Sequence, residues 1–286
     1  MATKWNLIVD VALCDNCRLC FLAVKDEYVG NAFPGVSAPQ PAGEQHKWLD
    51  IERKERGTYP ILEARFMPVM CNHCDEAPCM KAAQGGAVRK RPDGVVIIDP
   101  EKAKGQKKIM QACPYDAIYW NEEKDIPQAW PFDAHLLDEG WTKTRAEQAC
   151  PMDVFRTICV DDAEMQRIQA DEDLEVLRPE LGTRPRVWYK NLHKITKCFV
   201  SGTVVEQVNG VEECAEGAEV VLSKDGNECG RATTDFFGEF TIDRLEPGSG
   251  AYQLEITGSA GGFSTQFELG DESPYLGVMT LSTASN

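Results

Sequence analysis

Clustered cysteines are the residues of this chain whose types and spacing best suit a specific chemistry. Eight of the twelve cysteines fall between Cys14 and Cys150, and six of those eight form two short triads. The triads are Cys14, Cys17 and Cys20, spaced C-x2-C-x2-C, and Cys71, Cys74 and Cys79, spaced C-x2-C-x4-C. Three thiolates so close together can bind three irons of a cubane, and the fourth iron then needs a cysteine from elsewhere in the chain.

Two Cys-Pro dipeptides, Cys113-Pro114 and Cys150-Pro151, supply the remote thiolates. In bacterial ferredoxins a Cys-Pro provides this fourth ligand from the far end of the fold. A nested pairing joins Cys150 to the first triad, and a crossed pairing joins Cys113 to it; the compact stretch 71–120 favours the nested one. We therefore predict two [4Fe-4S] clusters: Cys14, Cys17, Cys20 and Cys150 bind cluster 1, and Cys71, Cys74, Cys79 and Cys113 bind cluster 2.

A zinc site is the main alternative for these cysteines. Two C-x2-C pairs can close a zinc tetrahedron, and the pair Cys71 and Cys74 fits that pattern. The middle cysteine of the first triad, Cys17, does not fit it, and the Cys-Pro partners favour cubanes. The other four cysteines are scattered singly and are expected to be free thiols: Cys159, Cys198, Cys214 and Cys229. A disulfide between the last two is improbable in a reducing compartment.

No other motif in the chain indicates catalysis. There is no phosphate-binding loop, no G-x-G-x-x-G after a strand and no Ser/His/Asp pattern, so no catalytic residue is predicted. His73 lies inside the second triad and could donate a hydrogen bond to a cluster sulfur, but an exposed loop position is the simpler expectation.

Composition limits the class of protein and its partners. The chain has 286 residues, 43% of them hydrophobic and 27% charged, as in globular proteins. Its formal net charge of −16 would repel a phosphate backbone, so nucleic acid is not an expected partner. No apolar run reaches membrane-spanning length, and no export signal is visible at the N-terminus. These features predict a cytoplasmic protein without a membrane span.

The N-terminal part has the layout of a bacterial ferredoxin half. A β-run at 95–98 follows the turn Pro92-Asp93-Gly94, a helix is expected over about 101–112, and a second strand follows Cys113 at 117–120. A charged segment at 161–178 is predicted to be helical. The pattern indicates a ferredoxin-like domain that carries all eight predicted ligands.

The C-terminal part has a different pattern, with short alternating strands separated by Gly and Pro turns. Runs at 200–205, 218–222, 238–242 and 252–256 show the period of two that is typical of strands in a small β-sandwich. We therefore expect two domains: 1–196, ferredoxin-like with a connecting segment, and 197–286, an all-β sandwich.

The first 196 residues resemble the iron–sulfur subunits of the molybdopterin oxidoreductase (dimethyl sulfoxide reductase) family. Beyond the cysteines, the stretches 46–48, 51–60, 99–105 and 179–187 are similar to a hydroxyl-transferring branch of that family. The C-terminal part, with Thr234-Asp235-Phe236-Phe237-Gly238-Glu239-Phe240, is also similar to transthyretin-like or carboxypeptidase-regulatory sandwiches. The fold class implied is α+β: a ferredoxin-like [4Fe-4S] domain followed by an all-β sandwich of that kind.

Family members carry four cubanes, and the resemblance shows which ligands this chain lacks. The family's fourth cysteine in each run serves the neighbouring cluster, which supports the nested pairing. One lost set would occupy Val24, Trp130, Asp133 and Ala146, and the other Ala83, Lys102, Gly105 and Ile109. The hydroxyl-transferring branch keeps the first of these sets, so the chain departs from it there. Because protein interiors leave few large voids, Trp130 and Phe132 are predicted to fill the first lost site beside Val24.

The resemblance implies an electron-transfer subunit of a heteromeric molybdenum enzyme. That enzyme would transfer or add hydroxyl groups on polyhydroxylated aromatics of the pyrogallol, phloroglucinol or resorcinol type. A large catalytic subunit would hold the molybdopterin cofactor, and this chain would pass electrons without a catalytic site of its own. Two alternatives remain open: a subunit of another molybdopterin or tungstopterin oxidoreductase, and a mainly structural scaffold with vestigial clusters.

Overall fold

A computed structural model describes residues 2–43 and 45–282. The chain divides into two compact units, and the division is not a single cut in the sequence. The first unit comprises the residues up to Arg53 together with Phe66–Leu192, and the second comprises Lys54–Arg65 together with the chain from His193 onward. Residues 54–65, which the sequence analysis placed in the first domain, therefore group with the C-terminal unit.

Short strands and helices make up the first unit. Its strands, counting the hairpin shared with the second unit, are β1 (Lys4–Asp10), β2 (Leu49–Thr58), β3 (Ile61–Met70), β4 (Val88–Lys90), β5 (Val96–Ile98), β6 (Tyr119–Asn121), β7 (Ile126–Gln128), β8 (Phe155–Val160) and β9 (Val187–Lys190). Its helices are α1 (Leu19–Tyr28), α2 (Pro78–Ala82), α3 (Lys107–Gln111), α4 (Ala134–Asp138), α5 (Arg145–Ala149) and α6 (Asp162–Glu172).

Strand β1 is the centre of a three-stranded sheet in the order β8-β1-β9. It pairs antiparallel with β8 and parallel with β9, so Leu7 lies opposite both Thr157 and Val187. The run Leu7, Ile8 and Val9 is buried on consecutive residues, as expected for a strand covered on both faces. This sheet fixes the start of the loop that carries the first cysteine triad.

The ferredoxin-like hairpin β4–β5 and strand β6 lie where the sequence predicts them, whereas β7, which pairs with β6, is not predicted, and α3 is shorter than expected. It begins at Lys107 rather than near 101. The Asp99 side chain accepts hydrogen bonds from the backbone N–H groups of Glu101 and Lys102, which favours a turn. Gly105 then adopts φ +73°, in the left-handed region, which a continuous helix does not allow.

The second unit is built from two four-stranded sheets. Its elements are α7 (His193–Thr196), β10 (Cys198–Val208), β11 (Val211–Cys214), β12 (Glu219–Lys224), β13 (Asn227–Thr233), β14 (Glu239–Leu245), β15 (Gly250–Gly258), β16 (Gly261–Leu269) and β17 (Tyr275–Thr280). One sheet has the order β11-β10-β14 with β17 on β10, and the other has the order β13-β12-β15-β16. Alternate residues of both sheets, such as Val204 and Leu222, contribute to one shared core.

Arg56 explains why the hairpin segment 54–65 groups with this unit. Its side chain is almost fully buried and makes two parallel hydrogen bonds to Asp243, of 2.9 and 3.1 Å. It also donates to Glu63 at 2.8 Å and lies over the ring of Phe199. Gly57 next to it needs φ +90°, and a Cβ there would meet the carbonyl oxygen of Ile61 at 2.3 Å. A buried guanidinium held in this way ties the segment to β14.

Within the described residues, no helix is both long and apolar enough to span a membrane.

Candidate iron–sulfur site

The first group of thiols is assembled from the loop after β1, the start of α1 and the end of α5. Cys14 and Cys17 lie in the loop, Cys20 lies in the first turn of α1, and Cys150 is the residue at which α5 ends. Asn16 and Arg18 have φ of 63° and 61°, and these left-handed residues curl the loop so that its thiols converge. Helices α1 and α5 pack against each other, which brings Cys150 to the triad.

Electrostatic interactions link these four thiols. Burial raises the pKa of Cys20 to about 12, and the thiols of Cys14, Cys150 and Cys17 raise that pKa further. Burial likewise raises the pKa of Cys14, again with contributions from Cys150 and Cys17. Backbone N–H groups donate to both sulfurs, from Asn16 to Cys14 and from Phe21 to Cys20. Such donors stabilise negative charge on sulfur.

The second group is assembled from the loop after β3 and from α2 and α3. Cys71 and Cys74 lie in the loop, Cys79 lies in α2, and Cys113 follows the end of α3. Burial raises the pKa of Cys71 well above its usual range, and Cys79, Cys113 and Cys74 raise it further. Burial also raises the pKa of Cys79 to about 12 and that of Cys74 to about 11. The structure thus brings Cys113, and not Cys150, to the second triad.

A charged network braces the loop that carries Cys71 and Cys74. Lys90 donates to the carbonyl oxygens of His73 and Cys74, at 2.7 and 3.0 Å, and pairs with Asp75 at 2.7 Å. Arg186 makes two hydrogen bonds to the same Asp75 carboxylate, of 2.8 and 2.6 Å. The sequence gives no sign of this network, because Asp75 and Arg186 are 111 residues apart.

The donor set of each group fits a multi-iron cluster. Each group offers four thiols, which suits soft iron–sulfur ligation. Among the residues that the structure describes, no three His, Cys, Asp or Glu side chains lie close enough to hold one metal ion. A tetrahedral zinc site needs all of its sulfurs about 2.3 Å from a single ion, whereas in a cubane each sulfur binds a different iron.

The aromatic side chains that were predicted to fill the first lost cluster site are buried. Trp130 and Phe132 are fully buried and stack with ring centroids 5.0 Å apart. Val24 and Ala146, from the same lost ligand set, are also buried. The predicted burial of Trp130 is therefore confirmed.

Asp133, the fourth member of that lost set, is the polar centre of the filled site. Its buried carboxylate accepts hydrogen bonds from the Tyr28 hydroxyl at 2.7 Å, the Trp130 indole at 2.8 Å and the Arg145 backbone N–H at 2.7 Å. Burial raises the pKa of Asp133 in spite of these three donors. The sequence shows only that an aspartate stands where the family has a cysteine. It does not reveal this role, because the hydrogen-bond donors come from three different parts of the chain.

His73 is buried, which corrects the expectation of an exposed loop histidine. It is 1% exposed, and burial lowers its pKa to about 3, so the ring is neutral. Its Nδ1 accepts the Val96 backbone N–H at 3.0 Å, which leaves the proton on Nε2. The ring meets Phe132 and Trp130 edge-on, with centroids 5.1 and 5.7 Å away. The sequence position of His73, between Cys71 and Cys74, does not tell whether the ring is buried or exposed.

The positions of the second lost set are partly buried and partly exposed. Ile109, at one of its four positions, is fully buried, and Ala83 packs against the same core as Cys74 and Cys79. Lys102 at a third position is exposed.

Two thiol groups on a ferredoxin-like frame define a dicluster iron–sulfur protein, and comparison with known proteins agrees. Residues 62–159 match the family model described as 4Fe-4S dicluster domain. The chain is 41% identical over 281 residues to the pyrogallol hydroxytransferase small subunit of Pelobacter acidigallici, covering 97% of this chain and 99% of that protein. The chain belongs to the iron–sulfur subunits of the dimethyl sulfoxide reductase family, in the branch of that hydroxytransferase subunit.

More distant relatives match the N-terminal part of the chain. One is a putative dimethyl sulfoxide reductase iron–sulfur subunit of Halobacterium salinarum, 28% identical over 66% of this chain and 79% of that protein. Another is a sulfite dehydrogenase subunit of Allochromatium vinosum, 30% identical over 65% of this chain and 82% of that protein.

Proposed function

We propose that this chain is the electron-transfer subunit of a two-subunit molybdenum enzyme that transfers hydroxyl groups between polyhydroxylated aromatics. The observation that carries the proposal is the separation of the eight cysteines into two groups of four. Cys14, Cys17, Cys20 and Cys150 would hold one [4Fe-4S] cluster, and Cys71, Cys74, Cys79 and Cys113 the other. Each cluster would supply a one-electron couple, and the chain's own residues position it.

The partner would be a large subunit that binds molybdopterin and carries the catalytic site. The likeness to the pyrogallol hydroxytransferase small subunit extends over nearly the whole chain, including the C-terminal unit. That likeness favours a phenolic substrate of the pyrogallol type over the sulfur compounds named for the more distant relatives. We place the complex in the cytoplasm, where cysteines stay reduced. We also assign the C-terminal unit, with two sheets around one core, to the transthyretin-like sandwiches.

The surface around the first thiol group supports a subunit contact there. Cys17 is exposed, and four large apolar side chains within two residues of a predicted ligand are also exposed: Leu13, Leu19, Leu22 and Met152. Exposed apolar residues gathered at one place are typical of an interface that a partner covers. By contrast, Cys74 and Cys79 of the second group are buried. We therefore infer that electrons cross between the subunits at cluster 1.

Freeze-quench electron paramagnetic resonance of the anaerobic two-subunit complex tests the proposal. The complex is reduced with dithionite, mixed with pyrogallol and its acceptor phenol, and frozen at times that span one turnover. The expected result is a change in the cubane signals within that period. Signals that stay constant while product forms would overturn electron transfer and favour the scaffold alternative. Turnover of a sulfoxide in place of phenols would favour the other oxidoreductase class.

A further inference from the structure

The turn between β13 and β14 of the second unit holds two adjacent phenylalanines in solvent. Phe236 is 72% exposed and Phe237 is 64% exposed, and their rings meet edge-to-face with centroids 5.5 Å apart. Single exposed apolar residues are ordinary on protein surfaces. Two neighbouring, exposed aromatic rings that pack on each other form an apolar knob, and contiguous patches of this kind mark interaction sites.

Backbone hydrogen bonds hold this knob in a fixed shape. The Asp235 carboxylate accepts from the N–H groups of Phe237 and Glu239, both at 2.9 Å. The Gly238 N–H donates to the Asp235 carbonyl, also at 2.9 Å, and closes the turn. Gly238 has φ +73°, and a Cβ there would meet the Val204 carbonyl oxygen at 2.3 Å, so the turn presses directly on β10. These bonds fix the backbone of the turn from which the two rings extend.

Thr234 anchors the base of the knob to the segment before β12. Its buried hydroxyl donates to the Ala215 carbonyl at 2.5 Å and accepts the Ala218 N–H at 2.8 Å. The Gly217 N–H donates to the Thr234 carbonyl at 3.0 Å. A rigid, anchored pair of rings loses little entropy when it enters a pocket, which favours tight binding.

Three exposed acidic residues lie in the turn or in the chain next to its base. Asp235 is in the turn, Glu216 lies in the segment bonded to its base, and Glu213 is near the end of β11, just before that segment. Residues 193–286 as a whole contain 15 acidic and five basic residues. An apolar centre with a charged rim is the usual anatomy of a protein–protein interface. The charge of this rim requires basic residues opposite it.

The negative charge near the knob favours one kind of binding partner. A second copy of this chain would bring the same acidic rim and a net charge of −16, and an anionic membrane surface would be repelled in the same way. We propose that the Phe236–Phe237 knob inserts into an apolar pocket with a lysine- and arginine-rich rim on the large catalytic subunit. This inference rests on the proposed function, which supplies that subunit, and it assigns the C-terminal unit a role in assembly.

The test uses the full chain and the large subunit encoded with it, expressed together and separately. The double variant Phe236→Ser/Phe237→Ser is compared with Val211→Ser/Val278→Ser, whose valines are 59% and 61% exposed in the same unit. Binding to the large subunit is measured by titration, and circular dichroism confirms that each variant folds. The Phe variant is expected to raise Kd about tenfold or more, which is the loss typical of one interface hot spot. The Val variant is expected to leave Kd unchanged.

A charge-reversal variant gives a second readout. Glu213→Lys/Glu216→Lys should weaken binding at low salt and remove most of its dependence on sodium chloride. Wild-type Kd in the Phe variant would overturn the inference. Phe-dependent dimers of the isolated chain, or Phe-dependent binding to phosphatidylserine vesicles, would overturn it as well. A wild-type chain that does not bind the large subunit would instead refute the proposed function itself.

Discussion

Trp130 shows how a single residue can replace a cofactor site. A cubane and its ligands occupy a volume that a packed interior does not leave empty. Here the indole and the ring of Phe132 take up that volume, and Asp133 satisfies the indole N–H at 2.8 Å. The replacement is both apolar and hydrogen-bonded, so the site carries no penalty for an unpaired buried donor at Trp130.

Removing this side chain should therefore be costly. Trp130→Ala is expected to lower the free energy of unfolding by about 3–5 kcal/mol, the usual loss for a buried aromatic in a core. Trp141→Ala is the matched control, because Trp141 is 37% exposed, and it should cost at most about 1 kcal/mol. Urea unfolding followed by circular dichroism measures both. Equal losses in the two variants would show that Trp130 does not fill a core site.

Replacing one cysteine of each thiol group should remove only the cluster that this group binds. Cys17→Ser should remove the irons of cluster 1 and Cys74→Ser those of cluster 2, about four irons in each case. Both changes should also destabilise the fold, because cluster binding is coupled to folding. Cys159→Ser is the control, since that exposed cysteine belongs to neither group. Iron analysis after anaerobic purification gives the result, and loss of iron in the control would contradict the assignment.

At the level of single residues, the sequence reveals ligands better than it reveals their surroundings. Cysteine spacing is local, so the triads can be recognised without a structure. The Asp75–Arg186 pair and the Asp133 network join residues far apart in the chain, and only the fold brings them together. His73 was misjudged for the same reason: the Trp130 ring that covers it lies 57 positions later in the sequence.

Among the elements, the hairpin β2–β3 has the least expected role. Its residues 54–65 belong to the second unit, although they precede most of the first unit in the chain. The sequence analysis predicts no strands there, and the polar sequence of the hairpin gives no sign of which core it joins, because its place depends on Arg56. By contrast, four of the described strands of the second unit, β10, β12, β14 and β15, follow a clear period of two and are predicted from the sequence, whereas β11, β13, β16 and β17 are not. Helix α6 begins after Asp161 as its charged pattern indicates, but it ends at Glu172, before the predicted limit at 178.

Arg56 should therefore be essential to the second unit. Arg56→Ala leaves the carboxylates of Asp243 and Glu63 without their shared partner, and removing one member of a buried ion pair typically costs about 3–5 kcal/mol. Arg65→Ala breaks a more exposed pair with Glu63 and should cost at most about 1 kcal/mol. Thermal unfolding distinguishes the two variants. If Arg56→Ala melts at the same temperature as Arg65→Ala, the hairpin is not held in the way described.

On the scale of the whole molecule, we propose that the chain keeps two cluster sites and has lost two others. Its relatives in the hydroxyl-transferring branch are expected to keep the set at Val24, Trp130, Asp133 and Ala146. Here all four positions of that set are buried, and Ile109 of the other set is buried as well. Loss by whole sets preserves the remaining clusters, because a cubane with a missing thiolate would be labile. Electron transfer to the partner would therefore depend on cluster 1. The exposed apolar residues Leu19 and Leu22 lie next to its ligands in the sequence.

Iron and acid-labile sulfide content of the anaerobically purified chain tests the central claim most directly. Two cubanes predict about eight irons and eight sulfides per chain. About twelve irons would show that a third cluster forms in spite of the packing of Trp130 and Phe132. One or two zinc ions with no sulfide would contradict the iron–sulfur assignment altogether.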